Sequence, residues 1–307
     1  MSTTDRIKGV LAPVVTPFKA DLSPDPERLL RHCRWLLSQG CDGLAVFGTN
    51  SEANSMSVEE RLTMLDALVD SGIDPAVLMP GAGCCALSDS VRMAAHVAKL
   101  GCAGALMLPP FYYKGVSDDG LYRNFAEIIE RVGDSNLRIY LYHIPPVAQV
   151  GITLGLIERL VKDYEGVVAG VKDSSGDWNN TKAMLDAGFP QFDVFAGNEL
   201  ILLENMRHGG VGCITATGNV NPAPIHRLYV SWQSPEADAM QEAVSDLRKA
   251  VAQFPMIPAL KTIVAHFNGD PVWRNLRPPL DPLSDEQAAA LIAELEARGF
   301  AMPALAA

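Results

Sequence analysis

Short apolar runs alternate with amphipathic helical patterns over residues 9–232. Eight of these runs are rich in β-branched residues and bounded by glycine, proline or polar residues, which predicts buried strands. They cover residues 9–15, 44–47, 77–80, 105–108, 138–143, 167–172, 192–196 and 211–215. Apolar residues recur at helical spacing over residues 25–39, 58–70, 87–99, 118–131, 154–162, 178–186, 200–206 and 222–232. Alternating strands and helices predict a parallel sheet, and eight such units match a closed (β/α)8 TIM barrel of the α/β class.

An open, doubly wound sheet is the alternative architecture for this pattern. Such a sheet typically carries a Gly-x-Gly-x-x-Gly loop after its first strand. Here the first predicted strand is followed by Thr16-Pro17-Phe18, so we predict the barrel and assign it to residues 1–232. No convincing strand follows, and residues 237–252, 256–266 and 284–296 have helical patterns. We therefore predict an all-α C-terminal extension over residues 233–307.

Composition and charge narrow the class of partner. The 307-residue chain is 48% hydrophobic and 20% charged, and its formal net charge of −11 argues against nucleic acid or an anionic membrane surface as the main partner. No apolar run approaches the roughly 20 residues that span a bilayer. The N-terminus has no apolar signal segment, and the six cysteines form no Cys-x-x-Cys pair. We therefore expect a cytoplasmic protein with reduced thiols. The histidine spacing indicates no metal site.

Two strand ends carry candidate chemistry, because catalytic groups of such barrels lie at the carboxyl ends of the strands. The second predicted strand runs into residues 48–52, Gly-Thr-Asn-Ser-Glu, whose backbone N–H groups and hydroxyls suit a carboxylate. The same residues also fit an ordinary loop with helix caps. The sixth predicted strand ends at Lys172, where partial desolvation favours a neutral, nucleophilic amine. A strand-end lysine whose ammonium group simply reaches water is the alternative.

The fifth and seventh strands add further candidates. Period-two alternation places Tyr140 and Tyr142 on one face of the fifth strand, and Leu141 and His143 on the other. A tyrosine at a barrel mouth can relay protons or merely pack. His143 is likewise open between packing and substrate contact. Three residues at the end of the seventh strand are candidates for binding substrate hydroxyls: Gly197, Asn198 and Glu199.

Five motifs, in this order and spacing, resemble those of the dihydrodipicolinate synthase/N-acetylneuraminate lyase family. They are Gly-Thr-x-x-Glu at 48–52, Pro-Phe-Tyr-Tyr at 110–113, Leu-Tyr-x-Ile-Pro at 141–145, Gly-Val-Lys-Asp-Ser-Ser-Gly at 170–176 and Gly-Gly-Val-Gly-Cys-Ile-Thr at 209–215. The resemblance extends from about residue 9 to the C-terminus. It implies a barrel with a helical C-terminal extension, assembled as a homotetramer (a dimer of dimers). It also implies lyase chemistry on pyruvate through a lysine Schiff base, without a metal or organic cofactor.

Position by position, the resemblance implies roles for five residues. Lys172 corresponds to the Schiff-base lysine, and Tyr142 to the phenol that shuttles the proton and contacts the pyruvate carboxylate. Thr49 corresponds to the hydroxyl of the carboxylate cradle and proton relay. Tyr112 corresponds to a tyrosine that enters a neighbouring subunit's site, and Ile214 to a backbone contact with pyruvate. Because a free phenol ionises only near about pH 10, Tyr142 is expected to need hydroxyls as a relay.

Two departures from the family pattern bear on the substrate. The family commonly has two consecutive hydroxyl residues and then glycine after the first cradle glycine, whereas Gly48 is followed here by Thr49, Asn50 and Ser51. Asn50 can bind a carboxylate but cannot relay a proton as a hydroxyl does. In the synthase branch an arginine after the fifth strand holds the carboxylate of aspartate semialdehyde, and the matching residue here is Val147. True dihydrodipicolinate synthase activity is therefore not expected.

Three functional hypotheses follow. The first is a class I lyase that condenses pyruvate with an aldehyde, or cleaves a small 2-oxo acid to pyruvate, through an iminium on Lys172. The second is a dehydratase of a 2-keto-3-deoxy sugar acid that uses the same lysine and eliminates water. The third, from a different class, is a catalytically lapsed barrel that binds a ligand; the retained lysine, tyrosines and threonine argue against it.

Overall fold

The computed structural model describes residues 6–303 of the chain. Its strands are β1 (Gly9–Ala12), β2 (Gly43–Leu44), β3 (Ala105–Met107), β4 (Ile139–His143), β5 (Val168–Asp173), β6 (Asp193–Ala196) and β7 (Gly212–Ile214). Its first nine α-helices are α1 (Pro26–Ser38), α2 (Val58–Asp70), α3 (Leu87–Leu100), α4 (Asp118–Val132), α5 (Pro145–Ala148), α6 (Leu154–Asp163), α7 (Trp178–Asp186), α8 (Leu202–Arg207) and α9 (Pro222–Val230). Three more follow: α10 (Ala237–Val251), α11 (Met256–Asn268) and α12 (Asp285–Ala297).

The strands form one curled parallel sheet with the order β2-β1-β7-β6-β5-β4-β3. Strand β1 pairs with both β2 and β7, so the last strand of the sheet returns to lie beside the first. Helices join successive strands, as the alternating pattern predicts. The parallel α/β sheet is therefore confirmed.

The predicted strand at residues 77–80 is wrong as a regular strand. Pro75–Val77 instead forms a 3₁₀ helix, capped by the side chain of Asp74. The residues that follow make only isolated parallel bridges, Leu44 with Leu78 and Gly81 with Leu106. The reason is Pro80, which has no N–H to donate on the side that faces β3. Its carbonyl still accepts from Leu106 N at 2.8 Å.

Several predicted strands are also longer than the observed ones. The first ends at Ala12 rather than residue 15, because Pro13 interrupts the ladder of backbone donors. The second ends at Leu44, and the chain then reaches the left-handed conformation at Phe47, whose φ is 58°. That conformation ends any extended strand before residue 48.

Side chains alternate between the two faces of the sheet, as predicted for β4. Tyr140 and Tyr142 pack on the concave face in one buried cluster with Leu106, Phe195 and other strand residues. Leu141 packs on the convex face, in the larger core between the strands and helices. The concave cluster thus fills the space beneath the carboxyl ends of the strands.

The described residues after 232 contain the helices α10, α11 and α12 and no strand. Their assignment to a separate all-α extension stays a prediction. Helix α11 is fixed to the rest of the chain by a fully buried ion pair, Lys261 Nζ to Glu52 Oε1 at 2.7 Å. The domain boundary at residue 232 stays a prediction, as does everything assigned to residues 304–307, which lie outside the described part.

The described residues contain no candidate for a membrane-spanning helix or for a metal site. None of the helices there has the length and apolar character needed to cross a membrane. Between residues 6 and 303, no cluster of three or more His, Cys, Asp or Glu side chains is placed to hold a metal ion.

Candidate active site

Lys172 lies in β5 with its side chain on the concave face. Its strand neighbours in register are Tyr142 of β4 and Phe195 of β6. The residue is only 3% exposed, and its Nζ lies 4.3 Å from the centroid of the Tyr142 ring. Within residues 6–303 the ion-paired lysines are Lys182 and Lys261, so Lys172 has no carboxylate partner there. The structure thus places a buried, unpaired amine against an aromatic face.

Tyr142 connects this lysine to the loop after β2. Its hydroxyl lies 3.3 Å from Thr49 Oγ1, within hydrogen-bonding distance. Either oxygen can donate, so a proton can pass in both directions along this pair. The predicted relay residues are therefore brought together in the structure.

The loop that presents Thr49 is held rigidly from below. Ser51 Oγ accepts a hydrogen bond from Gly48 N at 3.2 Å and donates one to Val14 O at 2.5 Å. The carboxylate of Glu52 accepts from the buried Lys261 and, at 2.9 Å, from Arg277 N. Ser51 and Glu52 are thus tied to the core. Thr49 and Asn50 are the residues of this loop that face the cavity.

A cavity of about 580 Å³ opens above these groups. Its lining includes Thr49, Asn50, Tyr142, Ile144, Val147, Lys172, Ser174, Gly197, Asn198 and Ala216 from the strand ends. The C-terminal segment contributes Arg248, Pro255, Met256, Ile257, Pro258, Pro279, Leu280 and Asp281. The cavity is therefore closed on one side by residues of the helical extension. Gly48 lines a separate cavity of about 20 Å³ next to Thr49 and Tyr142.

Gly197 is required at the rim of the cavity. A Cβ at this position would lie 2.2 Å from Ser174 Oγ and 2.4 Å from Asp173 O. The turn after β5 is itself fixed by Asp173, which accepts from Thr181 Oγ1 at 2.6 Å and from Ser175 N at 2.9 Å. Two neighbouring strand ends are thus packed backbone to backbone beside the lysine.

Besides Gly48, three predicted substrate-binding residues do not line the larger cavity. Ile214 is fully buried in the concave cluster below it. Glu199 is fully buried, and the hydroxyls of Thr215 and Thr217 donate to its two carboxylate oxygens. Burial raises the pKa of Glu199, against the opposing charge of Arg248. Glu199 therefore holds the segment after β7 rather than facing a ligand.

His143 is the third, and it packs on the side of β4 opposite Tyr142. Its Nδ1 accepts a hydrogen bond from Ile152 N at 3.0 Å, and the residue is 6% exposed. Burial lowers the pKa of His143, against the opposing charge of Asp173. The structure thus places His143 as a neutral packing residue, which is one of the two alternatives that the sequence left open.

Tyr112 lies on the exposed loop between β3 and α4. It is 75% exposed, and its ring meets that of Tyr113 edge to face at 5.4 Å. It does not line the cavity of its own chain. Its entry into a neighbouring subunit's site stays a prediction.

Arg248 is the residue in the cavity wall that strand-end reasoning missed. It belongs to α10 in the C-terminal segment, and it lies after the last of the five family motifs in the sequence. Nothing in its local pattern distinguishes it from a surface arginine of an amphipathic helix. Only the packing of α10 against α8, α9 and the 3₁₀ turn at Glu199–Ile201 reveals its place.

A profile described as the dihydrodipicolinate synthetase family matches residues 6–298. An uncharacterized DapA-like lyase of Chloroflexus aurantiacus is 33% identical, over 94% of this chain and 96% of that protein. The crystal structure of dihydrodipicolinate synthase from Agrobacterium tumefaciens superposes with a TM-score of 0.87 at 32% identity, covering 94% of this chain and 98% of that one.

A variant of 2-keto-3-deoxygluconate aldolase from Sulfolobus solfataricus also superposes, with a TM-score of 0.84 at 25% identity over 95% of this chain and 96% of that one. A synthase structure and an aldolase structure therefore share this fold over nearly the whole chain. The match over nearly the whole chain shows that the protein belongs to the dihydrodipicolinate synthetase family, whose members are lyases.

Proposed function

We propose that the protein is a class I lyase that makes or breaks a carbon–carbon bond next to a pyruvate unit held as a Schiff base on Lys172. The observation that carries the proposal is the buried Lys172 amine, which faces a cavity that also holds the Tyr142–Thr49 hydroxyl pair. An amine that faces a cavity without a carboxylate partner is free to attack the carbonyl carbon of a bound 2-oxo acid.

The first half of the reaction forms the iminium. The 2-oxo acid carboxylate lies against the loop at Thr49 and Asn50, where hydroxyl and amide donors face the cavity. The Nζ of Lys172 attacks C2, and the resulting carbinolamine loses water. Tyr142 and Thr49 carry the proton that this loss requires, because their oxygens are in hydrogen-bonding contact.

The second half uses the iminium as an electron sink. In the cleavage direction the C4 hydroxyl of a 4-hydroxy-2-oxo acid loses its proton to the relay, and the C3–C4 electrons move into the iminium. The aldehyde leaves, C3 of the enamine takes up a proton, and water hydrolyses the iminium to pyruvate and free lysine. Condensation is the reverse. A dehydratase would instead remove a C3 proton from the intact iminium, and the resulting enamine would expel the C4 hydroxyl, which leaves as water with a proton from the relay.

Dihydrodipicolinate synthesis itself is not the activity that we propose. Val147 lines the cavity and is 62% exposed, at the position that the resemblance matches to the arginine of the synthase branch. A valine cannot form the bidentate contact that an aspartate semialdehyde carboxylate needs there. The similarity to named synthases supports the shared first half-reaction.

The finer architecture is part of the proposal. We infer that residues 78–82 take the place of the eighth strand in a closed (β/α)8 barrel. Met79 N donates to Leu44 O and Ala82 N donates to Leu106 O, each at 2.9 Å. These contacts supply backbone bonds on both sides of the gap between β2 and β3. We also propose that the protein is a homotetramer in the cytoplasm. It needs no cofactor, because Lys172 itself forms the covalent bond to the substrate.

Trapping with borohydride tests the proposed function. Incubation with pyruvate and sodium borohydride is expected to give a stable adduct on Lys172, located by peptide mass spectrometry. Lys172→Met should abolish the adduct, whereas Lys182→Met, which removes a surface lysine after the same strand, should not. Absence of an adduct, or an adduct on another lysine, would refute the mechanism and favour a ligand-binding barrel.

The second half-reaction is separated by products. Candidate 4-hydroxy-2-oxo acids are incubated with the enzyme, and pyruvate release is measured beside the loss of water. Release of pyruvate and an aldehyde identifies an aldolase, and a dehydrated 2-oxo acid without pyruvate identifies a dehydratase.

A further inference from the structure

The cavity above Lys172 contains a second cation, Arg248. Among the residues that line the cavity, these two are the cations, and Asp281 at the exposed rim is the acid. Arg248 comes from α10 in the helical extension, whereas Lys172 comes from the sheet. The two ends of one elongated anionic ligand could therefore contact two different parts of the fold.

Arg248 has no carboxylate partner in the described part of the chain. It is partly buried, and its recorded side-chain contact is Nη1 to the thioether sulfur of Met256 at 3.7 Å. Other arginines of the extension are paired, for example Arg274 with Asp285 and Arg298 with Asp246. A guanidinium held beside a thioether and proline side chains is partly desolvated without a counter-ion, which a bound carboxylate would supply.

Glu199 is the carboxylate of this chain that could neutralise Arg248, because the positive charge of Arg248 acts to lower the pKa of Glu199. Yet the two side chains form no ion pair, and the hydroxyls of Thr215 and Thr217 already occupy the carboxylate of Glu199. The five donors of the Arg248 guanidinium are therefore not used by Glu199.

We propose that Arg248 binds a second carboxylate at the far end of the substrate, so that the enzyme acts on a 2-oxo dicarboxylic acid. This inference rests on the proposed function, since Lys172 fixes the 2-oxo end. Asn198 and Ser174 line the wall near the lysine and suit hydroxyls on the intervening carbons. In the cleavage direction the products are pyruvate and an aldehyde that carries a carboxylate.

A carboxylate fits this position better than a phosphate. A single guanidinium matches the two oxygens of a carboxylate in a bidentate contact. A phosphate dianion would meet Asp281 at the rim and the carboxyl-terminal end of α10, whose partial charge is negative. The amino terminus of α11, which begins at Met256 beside Arg248, also lines the cavity, and its first N–H groups favour an anion of either kind.

The test compares paired ligands by borohydride trapping on Lys172. 2-Oxoglutarate and 2-oxoadipate are paired with 2-oxopentanoate and 2-oxohexanoate, which lack the second carboxylate. Each half-saturating concentration is expressed relative to that of pyruvate in the same variant. The better diacid is expected to be trapped at a concentration about tenfold or more below its matched monoacid, as expected for a charge-assisted contact.

Variants assign this preference to the guanidinium. Arg248→Gln should remove the preference, and Arg248→Lys should keep part of it because a charge remains. Lys249→Gln removes an exposed charge from the adjacent position of the same helix and should keep the whole preference. Equal loss in the Gln and Lys variants would indicate lost packing and overturn the assignment.

The remaining outcomes are equally decisive. Equal trapping of diacids and monoacids by the native enzyme would overturn the second-carboxylate site while leaving the Schiff base intact. Tighter trapping of a 2-oxo acid with a terminal phosphonate would replace the carboxylate by a phosphate-like group. No adduct with pyruvate itself would refute the proposed function, and the inference with it.

Discussion

The Tyr142 hydroxyl is the smallest feature on which the chemistry depends. It is the group on the concave face of β4 that touches a second hydroxyl, Thr49 Oγ1. Tyr140 lies two residues earlier on the same face, fully buried, and its hydroxyl has no partner in the described residues. The two tyrosines therefore differ in hydrogen bonding while sharing strand, face and burial.

This difference gives a matched prediction. Tyr142→Phe removes the relay and should lower kcat by about 100-fold or more, the usual contribution of a positioned acid–base group. Tyr140→Phe removes a hydroxyl that bonds to nothing and should leave kcat within about twofold, because no contact is lost. Steady-state assays of pyruvate formation measure both, with far-ultraviolet circular dichroism as a check on folding. Equal effects of the two substitutions would contradict the relay.

At the scale of elements, the loop after β2 and helix α11 act as one unit. Lys261 and Glu52 are fully buried and in contact at 2.7 Å, and Lys261 Nζ also donates to Thr16 O at 2.9 Å. Burial lowers the pKa of Lys261, against the opposing effect of Glu52. The catalytic loop is thus anchored by a residue about 200 positions away that belongs to the extension.

Breaking this pair is predicted to be costly. Lys261→Met leaves the Glu52 carboxylate buried and uncompensated and should lower the free energy of unfolding by about 3–5 kcal/mol. The double variant Glu52→Gln/Lys261→Met should recover much of that loss, because no buried charge remains. Denaturant unfolding of the two single variants and the double variant measures the coupling. Additive losses would show that the pair does not act as a unit.

The sequence predicted the elements better than it predicted the contacts between them. Strand-end positions follow from local periodicity, which makes Lys172, Tyr142 and the loop at Thr49 candidates, and the family resemblance adds the roles of these residues. The regular strand at 77–80 was wrong because an apolar run does not show that Pro80 lacks the donor its neighbour needs. The sequence does not reveal Arg248, because its place depends on the packing of α10 against α8, α9 and the turn after β6, which no local pattern encodes.

At the scale of the whole molecule, Tyr112 is the feature that the single chain leaves unexplained. Tyr112 is 75% exposed and Tyr113 beside it is 73% exposed, so the pair forms a large aromatic surface that is open to solvent. Tyrosine is enriched at protein interfaces. The predicted contact with a neighbouring subunit's site would bury this surface and complete the relay in one step.

Mixing of inactive subunits tests the predicted interface. Lys172→Ala lacks the Schiff base and Tyr112→Phe lacks the donated hydroxyl, so each variant alone should be nearly inactive. In a mixed symmetric pair, the Tyr112→Phe subunit keeps Lys172 and receives Tyr112 from the other chain. Random mixing should then restore about one quarter of the sites, because half of the pairs are mixed and each has one complete site.

Co-expression of the two variants, followed by pyruvate assays on the purified mixture, measures this recovery. Tyr113→Phe is the matched control, because it removes the neighbouring hydroxyl of the same exposed pair and should keep activity on its own. A mixture with no more activity than its parents would mean that Tyr112 acts within its own chain or not at all. Recovery near one quarter would instead require a site shared between subunits, since neither parent chain contains both groups.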